Sequence, residues 1–154
     1  MKTQEAGVVM SKKILGLFCL LYVSSVFASI KSQCLNMLTT IQNNTTSACV
    51  LLQKNLYNGE FFGQEMSDLI LPGESKKIQL QEAESVFKAS SELTLSYSCG
   101  PGQLTMKMRK DACISGGALS ATTVAISNMN ASATVSRGSM WHNLPGKIVW
   151  ILAD

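Results

Sequence analysis

The stretch that decides the fold is LTLSYSCGPGQLTMKMR, residues 93–109. Leu93, Leu95, Tyr97 and Cys99 alternate with Thr94, Ser96 and Ser98, so apolar side chains recur every second residue. That is the period of a half-buried strand, since successive side chains on extended backbone point to opposite faces. Gly100-Pro101-Gly102 supplies a turn, and the alternation resumes with Leu104, Met106 and Met108 against Thr105, Lys107 and Arg109. The pattern predicts an antiparallel hairpin with one face on a core.

The same reading extends outward in both directions. Residues 118–127 and 131–137 alternate around Asn128-Met129-Asn130, whose asparagines tolerate a left-handed turn, and together read as a second hairpin of small residues. Upstream, residues 35–42 and 48–54 flank the turn cluster Asn43-Asn44-Thr45-Thr46. Residues 69–71 run into Pro72-Gly73, residues 78–81 come next, and residues 81–90 read as a short helix or a loop. The terminal run 147–153 is almost continuously apolar, which predicts burial on both faces if that strand is central. About eight strands at this spacing give an all-β, antiparallel two-sheet sandwich or small barrel, in one domain over residues 29–154.

Residues 1–28 read as a cleaved signal peptide. Met10-Ser11-Lys12-Lys13 precedes an apolar run over residues 14–27, and Val26-Phe27-Ala28 offers a small-residue cleavage site. The run is shorter than the roughly 20 apolar residues of a membrane span and is interrupted by Ser24 and Ser25, so no transmembrane anchor is expected in the mature form. Residues 1–9 hold Glu5 and lack a basic cluster, which would suit a start at Met10. The expected location is secreted, in the periplasm or the extracellular space.

Export sets the reading of the cysteines. Cys19 leaves with the leader, and Cys34, Cys49, Cys99 and Cys113 remain, an even set that predicts two disulfides. No C-x-x-C spacing supports a zinc site. A strand after the 100–102 turn would hold Cys99 and Cys113 too far apart to bridge, and an extended 35–42 segment does the same for Cys34 and Cys49. Crossed pairing is therefore favoured, each of the first two cysteines joining one of the last two.

Charge argues for little. Beyond the leader, ten Lys and Arg face nine Asp and Glu, so the overall basic balance gives no case for a nucleic-acid partner. Lys107, Arg109 and Lys110 read as a solvated face.

Catalytic machinery is hard to assemble from this chain. His142 is the sole histidine, set in the turn-forming context Ser139-Met140-Trp141-His142-Asn143-Leu144-Pro145-Gly146, and reads as a turn residue or ligand contact. The G-x-S-x-G elbow, phosphate-cradling loops and dinucleotide fingerprints are missing. Glu60, Glu65 and Asp68 lie close in sequence, but nothing selects a carboxylate pair among them. Asn43-Asn44-Thr45-Thr46-Ser47-Ala48 resembles part of the calcium-binding signature of βγ-crystallin domains, where paired Asn or Asp side chains and a later Ser supply oxygen ligands. It departs at Ala48, where that family has Ser. Only fourteen residues separate the cleavage site from Asn43, too few for the preceding half of that fold. Neither a metal nor a cofactor is expected.

Aromatic residues in loops are the more informative group. Tyr57, Phe61 and Phe62 lie in a Gly-bounded segment and Trp141 in the last long loop, while Trp150 reads as core. Phe62 and one neighbour are expected to plug the sandwich. Rings held in loops offer a large contact area at modest entropic cost. The sequence thus points to a non-enzymatic binding module presenting Tyr57, Phe61, Trp141 and His142 to a protein, glycan or lipid surface. The alternatives are a membrane-active sandwich of the small cytolysin kind, a secreted hydrolase with a carboxylate pair, and an inhibitor of an extracellular enzyme.

Overall fold

The computed structural model describes residues 34, 36–63, 68–81, 90–112, 116–139 and 141–154, all within the compact unit Ser32–Asp154. The expected leader, Glu65, Cys113 and residues 82–89 of the expected helix or loop lie outside the described residues. Ten strands are present among the described residues: β1 (Asn36–Asn43), β2 (Cys49–Tyr57), β3 (Glu60–Phe61), β4 (Leu69–Ile70), β5 (Ser75–Gln81), β6 (Ser91–Cys99), β7 (Gly102–Lys110), β8 (Leu119–Ser127), β9 (Asn130–Ser136) and β10 (Gly146–Ala153). Sheet A has the order β3-β5-β1-β10-β9 and sheet B the order β4-β2-β6-β7-β8. Neighbours are antiparallel except β1 and β10, which run parallel in the middle of sheet A. This is the two-sheet sandwich that the alternation predicts, with β3 and β4 as two-residue additions at one flank.

The 93–109 stretch folds as read. In the β6–β7 ladder Leu93 pairs with Met108, Leu95 with Met106 and Tyr97 with Leu104, and all six side chains are buried. Gly100 turns the chain at φ 58°, where an added Cβ would lie 2.6 Å from Ser47 Oγ, so the position requires glycine. Sheet A supplies the opposing layer of the core from Met37, Ile41, Ile78, Leu80, Ile148 and Trp150.

The second expected hairpin is corrected. Both strands form, but β8 pairs with β7 and β9 pairs with β10, in different sheets. Asn128 does take the left-handed conformation, at φ 52°. The turn carries the chain across the sandwich instead of back along one sheet, because alternation fixes which side chains face the core and leaves the hydrogen-bonding partner open. β1 and β2 are likewise split between the sheets. β10 is central, yet only its inward residues are buried, and Val149 and Ile151 remain 36% exposed on the outer face. The expectation of burial on both faces fails because solvent reaches the outer side of sheet A.

Two further readings change. Lys110 occupies an inward position opposite Ser91 and is fully buried, with its Nζ 3.4 Å from the Asp111 carbonyl, so it leaves the expected solvated face. Lys107 and Arg109 stay outside and pair with Glu92 at 2.7 Å and Asp111 at 3.1 Å. Phe62 and its neighbour Phe61 do not plug the core: they are 54% and 36% exposed, and the largest fully buried side chains are those of Trp150 and Tyr97.

Cys49 and Cys99 face each other across the β2–β6 ladder, bridged with Cα atoms 4.1 Å apart. The link agrees with crossed pairing. Cys34 is also disulfide-bonded, to a partner outside the described residues.

The Asn43 corner, where β1 leaves sheet A, closes around one amide. Asn43 Nδ2 donates to the Ser47 and Ile70 carbonyls, both at 2.9 Å, while Oδ1 accepts from the Thr45 amide at 2.9 Å and the Thr45 hydroxyl at 2.7 Å. The side chain is fully buried, so the oxygen that resembled a calcium ligand is committed to the turn. Asn43→Ala is expected to lose about 2–3 kcal/mol, since buried partners are left unpaired. Asn43→Asp should fail similarly, because a carboxylate cannot donate to two carbonyls. Urea unfolding at neutral pH checks both, and unchanged midpoints would contradict the assignment.

Candidate functional site

The connections β2–β3 and β9–β10 emerge at one end of the sandwich, and the Cys49–Cys99 bridge lies toward the other. β2 ends at Tyr57, and Asn58 in a left-handed conformation with Gly59 passes the chain across to β3 in sheet A. Gly59 packs closely there: a Cβ would sit 3.2 Å from the Gln81 carbonyl. Phe61 pairs with Leu80, which also pairs with Met37, which pairs with Gly146 at the start of β10. That row sets Phe61 and the β9–β10 loop at the same end, three strand spacings or about 14 Å apart across the sheet.

The β9–β10 loop is a short, pinned turn. Ser139 and Leu144 exchange backbone hydrogen bonds, Ser139 N to Leu144 O at 2.9 Å and Leu144 N to Ser139 O at 2.8 Å. The His142 amide donates to Ser139 Oγ at 3.1 Å, and Asn143 takes φ 50°. Gly138 packs against the Gly146 amide too closely for a Cβ, at 2.9 Å. On this frame Trp141 is 90% exposed, with Leu144 at 53% beside it. His142 is exposed, and its backbone serves the turn, as the sequence context indicates.

The four residues singled out in the sequence, Tyr57, Phe61, Trp141 and His142, therefore share one end of the molecule, although they do not pack together as one cluster. Tyr57 is 67% exposed at the tip of β2. Phe61 lies under the Lys54 ammonium, 4.8 Å from the ring centroid, a cation–π contact that holds the ring at the flank. Among the ionisable groups of the described residues, Tyr97 is the one strongly displaced: burial, aided by the Asp68 charge, pushes its phenol far above the usual range and keeps it neutral in the core. Among the described residues no three His, Cys, Asp or Glu side chains are placed to hold a metal ion.

Sequence reasoning missed a second feature. On the outer face of sheet A an open groove of about 570 Å³ runs along β1 between Phe62 and Gly63 on one side and Lys147 and Val149 on the other. Leu38 and Thr40 form its floor, and Lys77 with Gln79 stand on the β5 side. Phe62 forms a wall because its amide donates to the Gln79 carbonyl at 2.8 Å, which extends the β3 pairing by one residue. No local signal marks this groove. Its residues come from three strands far apart in sequence and from the 62–63 segment after β3, and they meet only through the β3-β5-β1-β10 order.

Neither a protein-family model nor a curated protein matches the chain. Solved structures do. The fold is similar to that of the lipid binding protein Nakanori, with a TM-score of 0.64 and 8% identity over 88% of this chain and 80% of that one. It is also similar to IP-1A from Alcaligenes faecalis, with a TM-score of 0.54 and 17% identity over 82% of this chain and 96% of that one. At these identities the likeness is one of fold.

Proposed function

We propose that this protein is a non-enzymatic binding module that docks on a lipid bilayer through the end of the sandwich carrying Trp141. The observation that carries the reading is an indole 90% exposed on a turn fixed by its own hydrogen bonds. An exposed tryptophan on a rigid support costs little ordering when its apolar body enters an interface and its N–H stays near water. Leu144 adds apolar area beside it, and Tyr57 is exposed at the same end. The lipid binding of Nakanori supports the choice of a lipid surface over a protein or glycan.

The membrane-active alternative shares this docking step and differs only in the later fate of the bilayer. Sedimentation with phosphatidylcholine vesicles tests the step itself. Trp141→Ala is expected to weaken binding by about tenfold or more, equivalent to burying part of one large ring. His142→Ala should leave it nearly unchanged. Equal binding by wild type and Trp141→Ala, or no binding by either, would remove the proposal.

A further inference from the structure

The groove on the outer face of sheet A has a chemistry distinct from that of the Trp141 turn. We propose that it holds one anionic phospholipid, its phosphate between Lys77 and Lys147 and the first part of an acyl chain along Leu38, Val149 and Phe62. This deepens the bilayer reading, on which it rests, by naming the lipid.

Three observations converge on that ligand. The first is charge: none of the residues lining the groove is acidic, and among the described residues neither Lys77 nor Lys147 takes part in an ion pair. Lys76, Lys107 and Arg109, by contrast, each have a carboxylate partner. Glu60 pairs with Gln81 nearby but stands outside the lining.

The second observation is register. Lys77 pairs with Thr40 on one side of β1, and Lys147 pairs with Leu38 on the other, so the two lysines stand diagonally across that strand. Two strand spacings and two residues of offset put their Cα atoms about 12 Å apart. Two long ammonium arms can close on one phosphate from that distance, with the Thr40 hydroxyl and Gln79 amide below as further donors. A compact ammonium suits a phosphate as a point charge.

The third observation is the apolar remainder. Leu38, Val149 and Phe62 have no use to a free inorganic anion, whereas a groove of about 570 Å³ lies within the range of small-molecule sites. Lys147 comes directly after Gly146, the first residue of β10, so the groove begins one residue from the end that carries Trp141. A molecule docked on that end holds the mouth of the groove at the level of lipid headgroups.

The test separates the groove from bilayer docking. Soluble dihexanoyl phosphatidylserine is added to wild type, Trp141→Ala and the double variant Lys77→Gln/Lys147→Gln, and binding is read from the thermal midpoint and from chemical shifts of β1 and β10. Wild type and Trp141→Ala are expected to bind alike, and the double variant to lose at least about tenfold in affinity. Lys107→Gln, which removes a lysine charge from the opposite sheet, should bind as wild type does. Dihexanoyl phosphatidylcholine and inorganic phosphate are each expected to bind much more weakly. Full binding by the double variant, an equal loss in Lys107→Gln, or equal response to either control ligand would overturn the assignment. Absence of vesicle binding with the groove still occupied would instead overturn bilayer docking alone.

Discussion

Replacing Cys49 and Cys99 together by alanine is expected to lower stability by about 4 kcal/mol, the loop-closure value for residues separated by 50 positions. The two cysteines are already opposed in the β2–β6 ladder, so the bridge adds little to the arrangement of the native strands. Its main effect is on the unfolded chain, which it holds in a loop spanning β2 to β6. Two results should therefore appear together in urea unfolding. The midpoint falls, and the dependence on denaturant steepens, because the unlinked chain exposes more surface when it unfolds. A loss under about 1 kcal/mol would mean that the unfolded chain stays compact without the link.

The second large effect concerns Trp150. It is 1% exposed in the centre of β10, in register with Ile41 on one side and Ala133 on the other. Its indole N–H has no hydrogen-bond partner among the described residues. Trp150→Ala is expected to cost about 3–5 kcal/mol through the lost contacts and the cavity that remains. Trp150→Phe should cost far less, about 1–2 kcal/mol, because removing an unpaired buried N–H offsets part of the lost volume. If phenylalanine proved as damaging as alanine, the indole N–H would have to be satisfied in the folded protein. The Phe variant also leaves Trp141 as the single tryptophan of the chain. Its emission should shift to the blue when phosphatidylcholine vesicles are added, a direct reading of the turn entering the bilayer.

How much of the fold and site is legible in the sequence depends on which signals are local. The core face of β6 and β7 can be read residue by residue, because the period of two is imposed by the extended backbone itself. Trp150 is legible as core from its place in an apolar terminal run. Trp141 and His142 are legible as turn residues from their Ser, Asn, Pro and Gly neighbours. Phe62 is misplaced because hydrophobicity alone suggests burial. Its actual position depends on β3 pairing with β5 at the edge of sheet A, a contact between segments that no pattern links. Lys110 is misplaced in the opposite direction. Its position on the inward face of β7 agrees with the alternation, but its charge argues for solvent and the two signals conflict.

By itself the amino-acid sequence determined the fold class, the inward side of the β6–β7 hairpin and the turns that bound the long strands. Those properties rest on neighbours within a few residues, where backbone geometry acts directly. Only the tertiary structure decided which strand lies beside which: the split of β8 and β9 between sheets, the parallel contact of β1 with β10, and the groove with its two lysines. Partner choice between strands is a competition among many hydrogen-bonding edges of nearly equal worth, settled by how the whole core packs. A site built across three strands inherits that dependence.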